Sequence, residues 1–330
     1  MTTLILEYAH LKREDGKLHT AQNVRRELEK NDEEVTIVTV EKLTQFPKRH
    51  PFPTKKNFKK TIQARGVTKA YLTCLEGWID RQLIKACQEM GVKIHYSPHG
   101  TTPQGRYRPT PHLWKDSDII FCLGGKAERQ QYMRRGVREE NIRLTGLPCI
   151  DDANQWKGRR TTGRYILLLT QPLPYHGQAG TIAGQLRKTG KAILVRPHPR
   201  EDITRDYPLL RLLRGHATFD TNNDKTSLYQ DLTDAEIAMS FGSTTDIEAM
   251  IIGVPVINIT LPTTARQAAD IDDAITSCTP ENLAHAISVA CTQTATRTAK
   301  QDGYLSRAYA QTDGNAARRV AKLMLEEDDG

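Results

Sequence analysis

Aromatic side chains are scarce in this 330-residue chain, at 6% of the total, and only 38% of its residues are apolar. No apolar run approaches the ~18 residues that a membrane span requires, and the apolar part of the opening MTTLILEYAHLKRED is too short for a secretory signal. A cytoplasmic protein with no transmembrane segment is therefore expected. Cys74, Cys87, Cys122, Cys149, Cys278 and Cys291 form no CxxC pair and are expected to be reduced, mostly buried thiols. The spacing HExxH is missing as well, so neither a required metal nor a resident cofactor is expected.

Acid is missing from one long stretch. Between Glu41 and Glu76 there is no Asp or Glu, but there are nine cations: Lys42, Lys48, Arg49, Lys55, Lys56, Lys59, Lys60, Arg65 and Lys69. Pro47, Pro51 and Pro53 argue against a long helix there, and Phe46, Phe52 and Phe58 alternate with the charges. The segment 42–69 is thus expected to be a basic loop that contacts an anionic acceptor through Lys55, Lys56, Lys59 and Lys60. Aromatics among cations suit a polyanion with stackable bases, and equally a loop that tucks its rings beneath wet lysines. The asymmetry extends further: residues 1–205 carry 37 Lys/Arg against 21 Asp/Glu, and residues 206–330 carry 10 against 18. A basic first half facing an anionic partner follows.

What is present is an alternation of short apolar runs with helical patterns. Strands are expected at 3–7, 35–40, 71–74, 93–97, 119–123 and 142–144, with helices at 21–30, 80–90 and 126–135. The first domain then closes near Pro148, and the polar 151–164 stretch reads as a linker. The pattern restarts with the strand YILLLT at 165–170, a helix at 181–188 and a strand at 192–195. It ends with helices at 280–290 and 314–327. The fold class is α/β, with two doubly wound Rossmann-like domains facing each other, over 1–148 and 149–330.

The chemistry gathers around 238–259, AMSFGSTTDIEAMIIGVPVINI. A buried strand leads into Gly242, which permits a tight turn, and Ser243, Thr244 and Thr245 offer caps for a helix ending at Gly253. Such a helix entrance favours a phosphate through its free N–H groups and its dipole. Glu248, four residues after Thr244, lies on the same face one turn deeper, where it could accept ribose hydroxyls. Two other strands end in histidine: His99 before Gly100 in SPHGTTP, and His198 after Arg196 in VRPHP. Ligands in α/β sheets bind at such carboxyl ends.

SPHGTTP, TQPLP, VRPHP, SFGSTTDIEAMIIGVPVI and TDGNAARRVAKL, in that order, resemble the GT-B glycosyltransferases. Similar groups are the CDP-glycerol glycerophosphotransferases, the capsular Kdo transferases and the fold-related UDP-N-acetylglucosamine 2-epimerases. The resemblance runs from about Lys93 to Lys322, so the basic segment has no counterpart in it. It implies two domains across a cleft, with the C-terminal helix packing back toward the first. A nucleotide-sugar donor would be held by the second domain, with Arg196, His198, Gly242, Ser243, Thr244 and Thr245 on its phosphates. Glu248 would hold the ribose and Gln171 the base or sugar. His99 would be the base that activates the acceptor hydroxyl, as suits a side chain poised near neutral pH. The acceptor stays open between a membrane-associated envelope glycan and hydroxylated bases in DNA, and location at the membrane surface or on DNA stays open with it. Rival readings are an epimerase, a metal-dependent transferase using Asp116-Ser117-Asp118, and a non-enzymatic nucleic-acid-binding protein.

Overall fold

The computed structural model describes residues 2–8, 19–40, 54–75, 77–100, 118–161, 163–171, 177–198, 201, 207–222, 224–261 and 274–326. They fall into two units. One is formed by the described residues of Met1–Thr102, Arg108–Asp151 and Arg307–Gly330, the other by those of Asp152–Ser306.

The first unit is built on six parallel strands: β1 (Thr2–Tyr8), β2 (Glu34–Val40), β3 (Val67–Leu72), β4 (Lys93–Tyr96), β5 (Ile119–Leu123) and β6 (Ile142–Leu144), in the order β2-β1-β3-β4-β5-β6. Strands covered by helices on both faces read as continuous apolar runs, and Leu4, Ile5 and Leu6 are buried in succession. Helix α1 (His19–Glu29) turns Val24 and Leu28 inward, and α3 (Trp78–Glu89) buries Leu83, Ile84 and Cys87. Asp80 accepts the Gly77 N–H at 2.8 Å and so closes the entrance of α3. Helix α4 (Lys126–Arg134) leads toward β6.

The expected basic loop is not a loop where it is described. Lys55–Arg65 forms helix α2, because all three prolines lie upstream of its cap, Thr54, whose side chain accepts the Asn57 N–H at 3.3 Å. Phe58 and Ile62 face the core, and Lys69 is wholly buried within β3. Lys42, Lys48, Arg49, Phe46 and Phe52 lie outside the described residues.

The expected linker is also structured, with a 3₁₀ run over Pro148–Trp156. Its buried Asp151 accepts the N–H groups of Ala316 and Ala317, at 3.1 and 2.7 Å. That pins the entrance of the final helix, Ala316–Glu326, whose Ala317, Val320, Ala321 and Met324 complete the first unit's core. The returning chain passes close to Gly125, where a Cβ would sit 1.9 Å from the Ala308 carbonyl oxygen. The C-terminal helix thus packs on the first unit, as the resemblance implied.

The second unit has β7 (Tyr165–Leu169), β8 (Ile193–Arg196), β9 (Thr218–Phe219), β10 (Ala235–Ser240), β11 (Val256–Ile259) and β12 (Thr276–Cys278), all parallel, ordered β12-β11-β10-β7-β8-β9. Its helices are α5 (Ala179–Lys188), α6 (Pro208–Leu213), α7 (Lys225–Asp234), α8 (Thr245–Ile252), α9 (Leu283–Thr292) and α10 (Thr294–Ala308). The final helix is α11. Among the described residues no helix is long and apolar enough to cross a membrane.

Candidate functional site

The order of the second sheet reverses between β7 and β10, and ligands of doubly wound sheets bind where strands part at such a reversal. Gln171 follows β7, the turn 241–244 follows β10, and the Gln171 Nε2 donates to the Gly242 carbonyl at 3.2 Å across the gap. Gly242 has φ +87°, a conformation that L side chains rarely adopt. Behind the turn, the Ser240 hydroxyl accepts the N–H groups of Gly242 and Ser243 at 3.1 and 3.3 Å and donates to Asp246 at 2.8 Å. Asp246 also accepts the Ser243 N–H at 3.2 Å. Asp246 thus ties the turn to the entrance of α8 from inside, while the Thr244 side chain makes no capping hydrogen bond there. Ser243 instead accepts the Thr245 N–H at 3.2 Å. Gly242, Ser243, Thr244 and Thr245 remain half-exposed above this buried carboxylate.

Beside it, β8 is followed by Pro197 and a half-buried His198. Glu201, 7% exposed, accepts the His198 N–H at 2.9 Å and the Thr170 hydroxyl, and its own N–H donates to the His198 carbonyl at 2.7 Å. One buried carboxylate thus fixes the ends of β7 and β8 to each other and sets the backbone from which the His198 ring projects. Sequence reasoning missed Glu201; its signal was an acid three residues beyond a histidine in a basic, proline-stiffened turn.

Arg196 is not available to a phosphate. Its guanidinium bonds Asp220 at 2.5 Å, Asp231 at 2.6 Å, the Ser227 hydroxyl at 3.0 Å, the Asp224 carbonyl at 2.9 Å and the Asn222 carbonyl. With its side chain 8% exposed, it is a clamp between β8 and the entrance of α7. Burial, aided by the neighbouring Asp220, pushes the Asp231 carboxyl up to about 6. Asp220 is held below its ordinary value: burial opposes this, but bonds from Ser227 and the Asn222 N–H outweigh it.

Glu248 is 1% exposed, and the same carboxylate oxygen takes the Lys225 ammonium and the Tyr229 hydroxyl, the latter at 3.0 Å. Lys225 also lies 5.3 Å from the Tyr229 ring centroid, and that ring is 6.0 Å from Trp156. Any ribose hydroxyl must join or displace these partners. Neither Lys225 nor Tyr229 was singled out by sequence, because each lies about 20 residues from Glu248.

In the first unit the order reverses between β1 and β3. His99, exposed just beyond β4, sets its Nδ1 3.1 Å from the Thr73 carbonyl and 3.4 Å from the Cys74 sulfur. A carbonyl only accepts, so Nδ1 carries the proton and Nε2 is the basic nitrogen of the neutral ring. Gly100 follows, half-buried. On α2, Lys55 and Lys59 both pair with Glu89 at 2.5 Å, and their hydrogen bonds hold that carboxyl down at about 2. Lys56 and Lys60 stay exposed. Asp118 pairs with Arg138 at 3.2 Å, while Asp116 and Ser117 lie outside the described residues. Among the described residues no three His, Cys, Asp or Glu side chains gather as metal ligands would.

Compared by sequence, the chain matches no protein-family profile and no curated protein. Compared by structure, it has the GT-B fold, with two α/β units each built on a parallel six-stranded sheet. The UDP-GlcNAc 2-epimerase of Methanocaldococcus jannaschii, in complex with UDP-GlcNAc and UDP, superposes at TM-score 0.72 and 13% identity, over 99% of this chain and 100% of its own. MurG of Acinetobacter baumannii gives 0.64 at 12% identity, over 99% and 100%. A glycosyltransferase of Rickettsia africae gives 0.57 at 12%, over 99% and 96%. Identities this low establish the fold alone.

Proposed function

We propose that the chain is a nucleotide-sugar-dependent glycosyltransferase whose second unit holds the donor at the reversal between β7 and β10. The observation that carries this reading is the convergence of Gln171, His198 and the half-exposed turn Gly242–Thr245 on one end of one sheet, fixed from behind by Glu201 and Asp246. The hydroxyls of Ser243, Thr244 and Thr245 and the His198 ring would meet the diphosphate, where negative charge grows as the sugar leaves and fixed donors stabilise it. Gln171 would meet the base or sugar, and Glu248 the ribose once Lys225 makes room. His99, with Nε2 as its basic nitrogen, would take the proton of an acceptor hydroxyl without a metal. The acceptor would be anionic, either DNA or a membrane-associated glycan, and Gly100 and the exposed Lys56 and Lys60 would contact it.

Calorimetry of the chain with UDP, GDP, CDP and CMP tests the donor site. Removing a hydrogen bond to a charged group costs about 1.5–3 kcal/mol, so Thr244→Ala and His198→Ala should each weaken the preferred nucleotide about 10–100-fold. Binding of none of the four by the wild type sinks the reading. The likeness to a UDP-GlcNAc 2-epimerase over 99% of the chain favours one other activity, inversion of the sugar at C2. Proton NMR of UDP-GlcNAc with enzyme and no acceptor separates the two, since only an epimerase builds up the 2-epimer.

A further inference from the structure

The six cysteines differ sharply in their surroundings. Cys87, Cys122 and Cys149 are buried. Burial pushes the thiols of Cys87 and Cys278 up to about 12, and that of Cys291 up to about 11, which leaves them almost wholly protonated at neutral pH. Cys74 is half-buried just after β3, and its sulfur lies 3.4 Å from the Nδ1 of His99, the nitrogen that also meets the Thr73 carbonyl at 3.1 Å. The proton on that nitrogen is thus shared between a fixed carbonyl and the sulfur, and an N–H aimed at sulfur favours the thiolate, the nucleophilic form. The ring is exposed, so a small reagent has a route to this strand end. The adjacent Thr73 adds a buried hydroxyl with no hydrogen-bond partner among the described residues.

We propose that Cys74 is a modification site, a thiol primed by His99 to react with electrophiles and hydroperoxides ahead of every other cysteine in the chain. With a hydroperoxide, the sulfur attacks one peroxide oxygen, an S–O bond forms and the O–O bond breaks. Sulfur gives up two electrons to the peroxide and becomes the sulfenic acid. The thiol's proton ends on the departing oxygen, which leaves as water or an alcohol. The added oxygen then lies against the ring of His99, so oxidation alters the environment of the first unit's exposed histidine. None of this depends on the nucleotide-sugar reading.

Site-resolved mass spectrometry of the full chain, quenched at intervals after adding iodoacetamide at pH 7, tests the proposal without any substrate. An ordinary thiol is a few per cent thiolate at this pH, and one paired with a protonated histidine is largely so. The gain of roughly tenfold is tempered by the weaker nucleophilicity of a more acidic thiol. Cys74 should therefore be alkylated first in the wild type, and about 5-fold more slowly in His99→Ala. Hydrogen peroxide followed by dimedone should tag Cys74 alone. Alkylation of Cys278 or Cys291 as fast as Cys74, a Cys74 rate unchanged in His99→Ala, or dimedone on another cysteine would each overturn the proposal. The order of reaction within the wild type stands as a test even if the variant folds poorly.

Discussion

Replacing Lys225 by Met removes the one cation that touches the Glu248 carboxylate among the described residues. The side chains are 13% and 1% exposed, so water cannot take the missing partner's place. Deleting one member of a buried pair typically costs about 3–5 kcal/mol, because an uncompensated charge is left behind. Here the Tyr229 hydroxyl still donates at 3.0 Å, which puts the expectation at the lower end, about 3 kcal/mol. Changing Glu248 to Gln in the same chain should return part of that loss, roughly 2 kcal/mol, since an amide oxygen still accepts from Tyr229 and carries no charge to strand. Urea unfolding followed by tryptophan fluorescence is the assay, with Trp156 close to the Tyr229 ring as the local reporter. At a slope of about 2 kcal/mol per molar, Lys225→Met should lower the midpoint by about 1.5 M and the double variant by about 0.5 M. A double variant less stable than Lys225→Met alone would refute the reasoning, because the carboxylate would then be stabilising without its cation.

Three further outcomes are expected. His99→Ala should keep nucleotide affinity while turnover falls about 10²–10⁴-fold, and activity should survive EDTA; equal losses of binding and rate would make His99 a ligand instead. Asp231 binds its proton more tightly folded, near pH 6, than unfolded, near ~3.9. Its contribution is therefore full below about pH 4 and lost as pH rises through 6, so Asp231→Asn should flatten the wild type's loss of stability over that window in urea titrations. If the acceptor is duplex DNA, Lys56→Gln with Lys60→Gln should make the salt dependence of its binding shallower by about two phosphate contacts, near 0.9 per contact on a log–log slope. Lys55→Gln with Lys59→Gln should change it less, because Glu89 already compensates that pair. Equal effects of the two pairs would mean α2 carries only a solvated face.

Much of the scaffold was legible because fully covered parallel strands leave short apolar runs that survive inspection, as at Tyr165–Leu169 and Ile119–Leu123. The turn after Ser240 was legible for the same reason, lying between one such run and a glycine. What stayed hidden falls into two kinds. Helix α7, KTSLYQDLTD, has weak helical propensity and a small apolar face, and owes its entrance to Asp224 accepting the Ser227 N–H at 2.7 Å. The two-residue β9 is shorter than any periodicity can show. The other kind is partnership at a distance. Arg196 looked like a phosphate ligand because a cation at a strand's end is one by position, whereas its acceptors Asp220 and Asp231 arrive from 24 and 35 residues away. In the same way the three prolines before Thr54 suggested a loop until the capped helix beyond them came into view.

The capture of α11 by Asp151 also sets an order of assembly. The described residues of the second unit all lie within 152–306, while the first unit draws Ala317, Val320, Ala321 and Met324 from beyond them. During synthesis, domains generally fold as units from the N-terminus onward. Here the later-made sheet has its core within its own stretch of chain, while the earlier-made one needs a helix encoded after it. Until that helix arrives, the groove it fills on the first unit stays open and apolar, and Asp151 lacks the N–H groups of Ala316 and Ala317.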